Sequence, residues 1–407
     1  MTTLTNARVV TPHEVLEPGW VTFSGPTITG VGTGGAPAAA VADDVRDLGN
    51  AYLLPGFVDL HLHGGDGASV GSGRPDEVRR AVAFHHRHGT TRMLAGIIAG
   101  PVPRMTAAAA TVADLLDAGD PGCAGLAGIH YEGPFLSSRH RGAHAEAHLL
   151  TPDPATLATL LAAGRGHVRV VTLAPELPGG LELVRSVVAA GAVAAIGHSA
   201  ADHRRSREAF AAGARLTTHL FNAMNPLHHR EPGLAGATLA DDRIVFELIN
   251  DGLHLHDDTV RIAFATAPHR AALVTDATPA AGMPDGEYRL EDVDLTVRNG
   301  RATLPDGHTL AGSTLTMDRA VRRAVHHLGL PITQVAAAAA TTPARLLGLG
   351  DRTGSITPGK DADLVVLTPR LHVRATVLRG RPVGRPRGPD AKDPEPGNSR
   401  DSVGPIA

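Results

Sequence analysis

The chain has 407 residues, with 38 basic and 41 acidic side chains and a formal net charge of −3. That balance lacks the charge bias of a nucleic-acid or membrane surface, and no apolar run approaches the roughly 20 residues of a membrane helix. The length suits one barrel of about 250 residues plus a smaller domain.

The single cysteine, Cys123, excludes an intrachain disulfide framework and fits a reducing cytoplasm. The opening MTTLTNARVV has no basic start followed by an apolar core, so no secretory signal is expected. Histidine is abundant at 23 residues, while lysine is confined to Lys360 and Lys392.

Residues 1 to about 52 read as short strands and turns, LTNARVVTPH and GWVTFSGPTITGVG, followed by a Gly/Ala-rich linker. The first apolar run, LLPGFVDLHLHGG, then ends at Asp59, His61 and His63. PDEVRRAVAFHHRHG predicts a helix, with Pro75 and two acids in its first turn and Gly89 as its stop. TTRMLAGII and VRVVTLAPE are the second and fourth runs; between them LAGIHYEGP ends at Glu132. TPDPATLATLLAAG, GGLELVRSVVAAG and ADHRRSREAFAAG predict helices closed by glycine.

The fifth run, AVAAIGHSA, ends at His198, and the sixth, RLTTHLFNAM, at His219 and Asn222. IVFELINDGLH ends at Asp251 and His254, and AALVTDATP at Asp276. An insertion over about 282–312 has hairpin character, with turn signals at Asn299-Gly300 and Asp306-Gly307. MDRAVRRAVHHLG reads as a closing helix. The segment from about 345 to 384 is again strand-like, and the polar, Pro/Gly-rich remainder predicts disorder.

Strand–helix alternation predicts a parallel sheet. The expected fold is α/β: a (β/α)8 TIM-like barrel over 53–344. Residues 1–52 and 345–385 are expected to pair into a small β-sandwich domain, leaving 386–407 as a disordered tail. An open doubly wound sheet is the rival. In a barrel the C-terminal strand ends converge on the catalytic face.

His61 and His63 share one side of an extended strand and can reach one metal. Glu132, His198 and His219 follow three other strands and would leave a coordination position open for water. Singly, each of these residues has a structural reading; together at strand ends they point to a metal-dependent hydrolase. Asp276 is placed to take a proton from an activated water and return it to a leaving amine. His254 and His144 are candidates to orient or polarise a substrate. Arg230 is a candidate anion binder, since guanidinium pairs bidentately with phosphate. Asn222 and Ala223 share a loop with a ligand candidate.

Taken together, PGFVDLHLHGG, HYEGPF, AIGHS, THLFNAM, REPGLAGA, NDGLHLH, LVTDA and LAGSTLTMDRAV resemble the N-acetylglucosamine-6-phosphate deacetylases of the amidohydrolase superfamily. The resemblance implies Glu132, His198 and His219 as principal metal ligands, with a second site at His61 and His63. It implies Asp276 as acid/base, aided by His144, with Asn222, Ala223, Arg230, His254 and His144 contacting the sugar phosphate. It further implies one or two divalent ions per subunit, zinc first, with iron, manganese or cobalt as alternatives, and a cytoplasmic homodimer. The barrel segment has no lysine, so no carboxylated lysine can bridge two metals and Glu132 is the expected bridge. The rival functions are another amidohydrolase, acting on acyl amino acids, cyclic amides or a different amino sugar, and a non-catalytic sugar-phosphate sensor.

Overall fold

A computed structural model of the chain describes residues 1–36 and 44–384. The segment expected to be a disordered tail, and most of the Gly/Ala linker, lie outside the described residues.

Eight parallel strands form the central sheet in strict chain order. They are β1 (Phe57–Asp59), β2 (Thr90–Ile98), β3 (Leu126–Glu132), β4 (Val168–Leu173), β5 (Val193–Ile196), β6 (Leu216–Thr217), β7 (Val245–Ile249) and β8 (Ala271–Val274). The sheet closes just beyond β1 and β8. Leu62 bridges Ala277 in parallel, the Asp276 N–H donates to the His61 carbonyl at 2.8 Å, and the His63 N–H donates to the Ala277 carbonyl at 2.8 Å. The arrangement is therefore the closed barrel rather than the open sheet. Its closing seam is made of the residues singled out for chemistry.

The helices begin and end where local chemistry dictates. Pro75 opens the helix Pro75–Arg87, and Gly89 follows it at φ 86°. The Asp153 side chain caps Pro154–Ala163 by accepting the N–H groups of Ala155 and Thr156. Asp202 caps His203–Ala211 in the same way. The expected closing helix is α-helical over Met317–Arg322 and continues as a π-helical turn to His327.

The terminal segments share one seven-stranded sheet. It runs from Arg381–Val383 through Val373–Leu378 and Leu364–Leu367 to Asp44–Pro55, Thr2–Val10, Val15–Ser24 and Thr27–Thr33. Thr27 also bridges Asp361, so the sheet curls back on itself around a separate core containing Val9, Val21, Ile28, Leu53 and Leu364. Arg92 of β2 joins this unit to the barrel through Asp363 at 2.9 Å and Asp361 at 3.1 Å. The insertion is a three-stranded antiparallel sheet, Gly286–Leu290, Val293–Arg298 and Arg301–Thr303. Leu290, Val293 and Leu295 pack with Ile98 and Ala311 to form an apolar wall beside the barrel mouth. No helix among the described residues is long and apolar enough to cross a membrane.

Candidate metal centre

Glu132 ends β3 with its carboxylate buried among imidazoles. Its Oε1 lies 3.0 Å from His198 Nε2, 3.2 Å from His219 Nε2 and 3.4 Å from His61 Nε2. Its Oε2 lies 3.3 Å from His63 Nε2 and 3.4 Å from His144 Nε2. Asp276 Oδ1 completes the group, 3.1 Å from His63 Nε2 and 3.6 Å from His61 Nε2. One carboxylate thus faces two sets of nitrogens, one with each oxygen.

The far side of each ring decides what the near side offers. His198 Nδ1 donates to the His140 carbonyl at 2.8 Å. His63 Nδ1 donates to the Gly96 carbonyl at 3.2 Å, and His61 Nδ1 to Glu247 Oε2 at 3.0 Å. A neutral imidazole protonated at Nδ1 presents a lone pair at Nε2. Each of these three Nε2 atoms then faces a carboxylate oxygen, and His198 and His219 bring their Nε2 atoms within 3.0 Å of each other. Acceptors so placed need a cation between them. The N/O donor set suits a divalent metal.

The electrostatics divide these rings. Burial pushes the His198 pKa down to about 4, so this ring is neutral at ordinary pH. Burial also disfavours charge on His63, but hydrogen bonding to Asp276 and Glu132 outweighs it and raises the pKa to about 9. His61 is raised well above its ordinary value, because Glu132, Glu247 and Asp276 overcome its burial. Burial would raise the Asp276 pKa, yet His61 and His63 hold it down to about 2. Positive charge, as protons or as metal, is what these carboxylates draw in.

The local backbone is unusual. His198, His219 and Asp276 have φ of 47°, 29° and 48°, in the left-handed region that disfavours side chains. Each such residue costs about 1–3 kcal/mol, and such strain gathers at functional sites. Phe221 and Ala223 are also left-handed, at 76° and 49°. Gly96 is required by proximity: a Cβ there would lie 2.4 Å from the Leu62 carbonyl and 2.8 Å from His63 Nδ1.

A pocket of about 280 Å³ opens above the cluster. His63, Glu132, His198, His219 and Asp276 form its polar floor. His144, Asn222, Ala223 and His254 stand around it, and the insertion supplies the apolar wall. His61 lies beneath, fully buried. His254 Nδ1 bonds Asp251 Oδ2 at 2.7 Å; although burial opposes charge on the ring, Asp251 raises its pKa. Arg230 stands apart from the pocket of its own chain. It is exposed, with its guanidinium 2.8 Å from His229 Nε2.

Two buried residues escaped the sequence reading. Glu247, inside β7, holds His61, and His130, inside β3, donates to the Leu60 carbonyl at 3.1 Å while Thr172 bonds its other nitrogen at 2.8 Å. A charged residue in the middle of the apolar run VFELI was the available signal for Glu247. His130 directly precedes Tyr131 and Glu132, so its role was masked by theirs.

A closed β/α barrel with a divalent-cation centre and an adjacent carboxylate at its C-terminal face defines a metal-dependent barrel hydrolase. The sequence model of the Amidohydrolase family matches residues 52–383. Relatives narrow the class. The N-acetylglucosamine-6-phosphate deacetylase of Bos taurus is 39% identical over 84% of this chain and 85% of its own. The N-acetylgalactosamine-6-phosphate deacetylase of Escherichia coli O157:H7 is 37% identical over 81% and 87%. The crystal structure of N-acetyl-D-glucosamine-6-phosphate deacetylase from Mycobacterium smegmatis superimposes with a TM-score of 0.88 at 40% identity, covering 94% of this chain and 100% of that one. The chain belongs to the N-acetylglucosamine-6-phosphate deacetylase family of the amidohydrolases.

Proposed function

We propose that this protein hydrolyses the acetamide of N-acetylglucosamine 6-phosphate, releasing glucosamine 6-phosphate and acetate. One observation carries the mechanism: Asp276 Oδ1 stands at the pocket floor, 3.1 Å from His63 Nε2 and beside the Glu132 cluster. Glu132, His198 and His219 would hold the principal cation, with His61 and His63 forming a second position bridged by Glu132. A divalent ion bound there lowers the pKa of water and polarises the amide carbonyl. Zinc is our first choice, with iron, manganese or cobalt as alternatives.

Asp276 is ionised, so it can accept the proton of the attacking water and deliver it to the departing amine. The amine leaves badly without that proton. His144, at the pocket wall with no hydrogen-bond partner at Nδ1 among the described residues, would turn to the developing oxyanion. His254, backed by Asp251, and the loop carrying Asn222 and Ala223 would hold the sugar phosphate. The barrel over 53–344 and the small domain of 1–52 with 345–385 form the division we favour.

Arg230 fits this reading as a phosphate ligand offered to a second copy of the chain. Leu227 and Leu253, exposed at 51% and 48%, lie in the loops that carry Arg230 and His254 and suit a homodimer contact. Mixed dimers of Arg230→Ala and Asp276→Asn subunits should regain activity that neither homodimer has; no recovery counts against sharing. A cytoplasmic location completes the proposal, since Cys123 is a buried free thiol.

The second reading is the galactosamine epimer, favoured by the Escherichia coli relative. Acetate release from both N-acetylated sugar 6-phosphates and from unphosphorylated N-acetylglucosamine decides between them. A higher kcat/KM for the gluco epimer supports the proposal. Preference for the galacto epimer replaces the substrate, and absence of turnover in metal-loaded protein rejects the activity.

A further inference from the structure

Beneath the pocket lies a carboxylate that touches neither solvent nor substrate space. Glu247 occupies the middle of β7, a strand buried along its whole length. Its Oε2 accepts two hydrogen bonds, from His61 Nδ1–H and from the main-chain N–H of His219, both at 3.0 Å. Its Oε1 has no hydrogen-bond partner among the described residues.

Packing does not account for this side chain. An apolar residue would fill the strand interior without the desolvation that a buried carboxylate suffers. Both donors to Oε2 belong to the metal centre, one in each proposed cation position. The other two anchored rings are held differently, since His63 and His198 donate to the neutral carbonyls of Gly96 and His140. Among these three rings only His61 is backed by a full negative charge.

That difference has chemical content. A carboxylate behind an imidazole fixes the Nδ1–H tautomer, orients the ring and strengthens Nε2 as a ligand. His61 is where such help counts. It is fully buried, and its Nε2 lies only 3.1 Å from that of His63, close enough for one cation to join both rings. The bond to the His219 N–H fastens the same carboxylate to the left-handed turn that carries a ligand of the other position.

We propose that Glu247 is a positioning residue for the second cation position, formed by His61, His63 and Glu132, and that it links this position to the first through the backbone of His219. The proposal rests on the two-position reading above. Without the charge, His61 is free to take its other tautomer and turn a proton toward Glu132. The second position weakens, while the first keeps Glu132, His198 and His219.

The test is metal stoichiometry. Zinc content and affinity are measured against graded chelator buffers for the wild type, Glu247→Gln, His61→Ala and the double variant. Two equivalents are expected in the wild type. In Glu247→Gln the tighter equivalent stays and the weaker loses about 10- to 100-fold in affinity. The double variant should bind no worse than His61→Ala alone. A single equivalent in the wild type removes the two-position reading and the proposal with it. Two equivalents of unchanged affinity in folded Glu247→Gln overturn the role of Glu247 alone. If that variant does not fold, long-range ¹⁵N–¹H correlation on the zinc-loaded wild type decides. The His61 ring proton, identified by its loss in His61→Ala, must sit on Nδ1, and a proton on Nε2 overturns the proposal.

Discussion

Nδ1 of His198 lies 2.8 Å from the carbonyl oxygen of His140, and this contact determines which ring nitrogen meets Glu132. The Nε2 lone pair is left facing Glu132 Oε1 at 3.0 Å with no proton to share. Chelation should therefore remove activity and also stability. At a metal concentration 100 times Kd the bound ion contributes about 2.7 kcal/mol. Thermal melting with and without a chelator checks this. An unchanged Tm after complete metal removal would show that the cluster does not depend on a cation.

Asp276→Asn should lower kcat by about 10²- to 10⁴-fold, the usual range for a lost general base. Metal content should stay near the wild-type value, because Glu132, His198 and His219 remain. Kinetics and metal analysis on one preparation suffice. Near-normal turnover would move the proton transfer to another group.

Gly96→Ala should disturb the centre without replacing any proposed ligand. The new Cβ would meet the Leu62 carbonyl at 2.4 Å and His63 Nδ1 at 2.8 Å. Overpacking of this kind costs about 1–3 kcal/mol. His63 must shift, so the proposed second equivalent of metal should bind more weakly. Denaturant titration together with metal analysis reads both effects; wild-type values in both would show that β2 gives way freely.

Acid should destabilise the protein through its buried neutral histidines. His85 is fully buried, with Nε2 bonded to the Gly64 carbonyl at 2.9 Å, and burial lowers its pKa to about 3. The unfolded chain takes up this proton near pH 6.5 and the folded chain near pH 3. The stabilising contribution is thus present above pH 6.5 and is lost as the pH falls toward 3. By linkage this is on the order of 4 kcal/mol for His85 alone. His85→Gln, which keeps a donor for Gly64, should show a flatter dependence of unfolding free energy on pH between 6.5 and 4. An identical slope in the variant would assign the acid sensitivity elsewhere.

The barrel was legible because its strands are short apolar runs separated by capped helices, and Pro75, Asp153 and Gly89 each act within a few residues of themselves. The His/Glu cluster was legible because its members end a strand or follow one closely, as Glu132, His198 and His219 do. Glu247 was not, because a residue inside a strand shows its function only through what crosses the barrel. Its bond to His61 spans 186 positions. Arg230 shared a motif with the site residues, yet the fold leaves it outside the pocket of its own chain.

The sequence by itself determined the alternation of strand and helix, the gathering of imidazoles and carboxylates at one end, and the lack of a barrel lysine that could bridge two metals. Those properties depend on local periodicity and on residue type. Only the tertiary structure decided which nitrogen of His198, His63 and His61 faces the centre. His140, Gly96 and Glu247 make that choice, and they reach the rings from other elements of the fold. The tertiary structure also set the left-handed turns at His198, His219 and Asp276. Strain of that kind persists only where surrounding contacts over-determine it, and those contacts exist only once the barrel has closed.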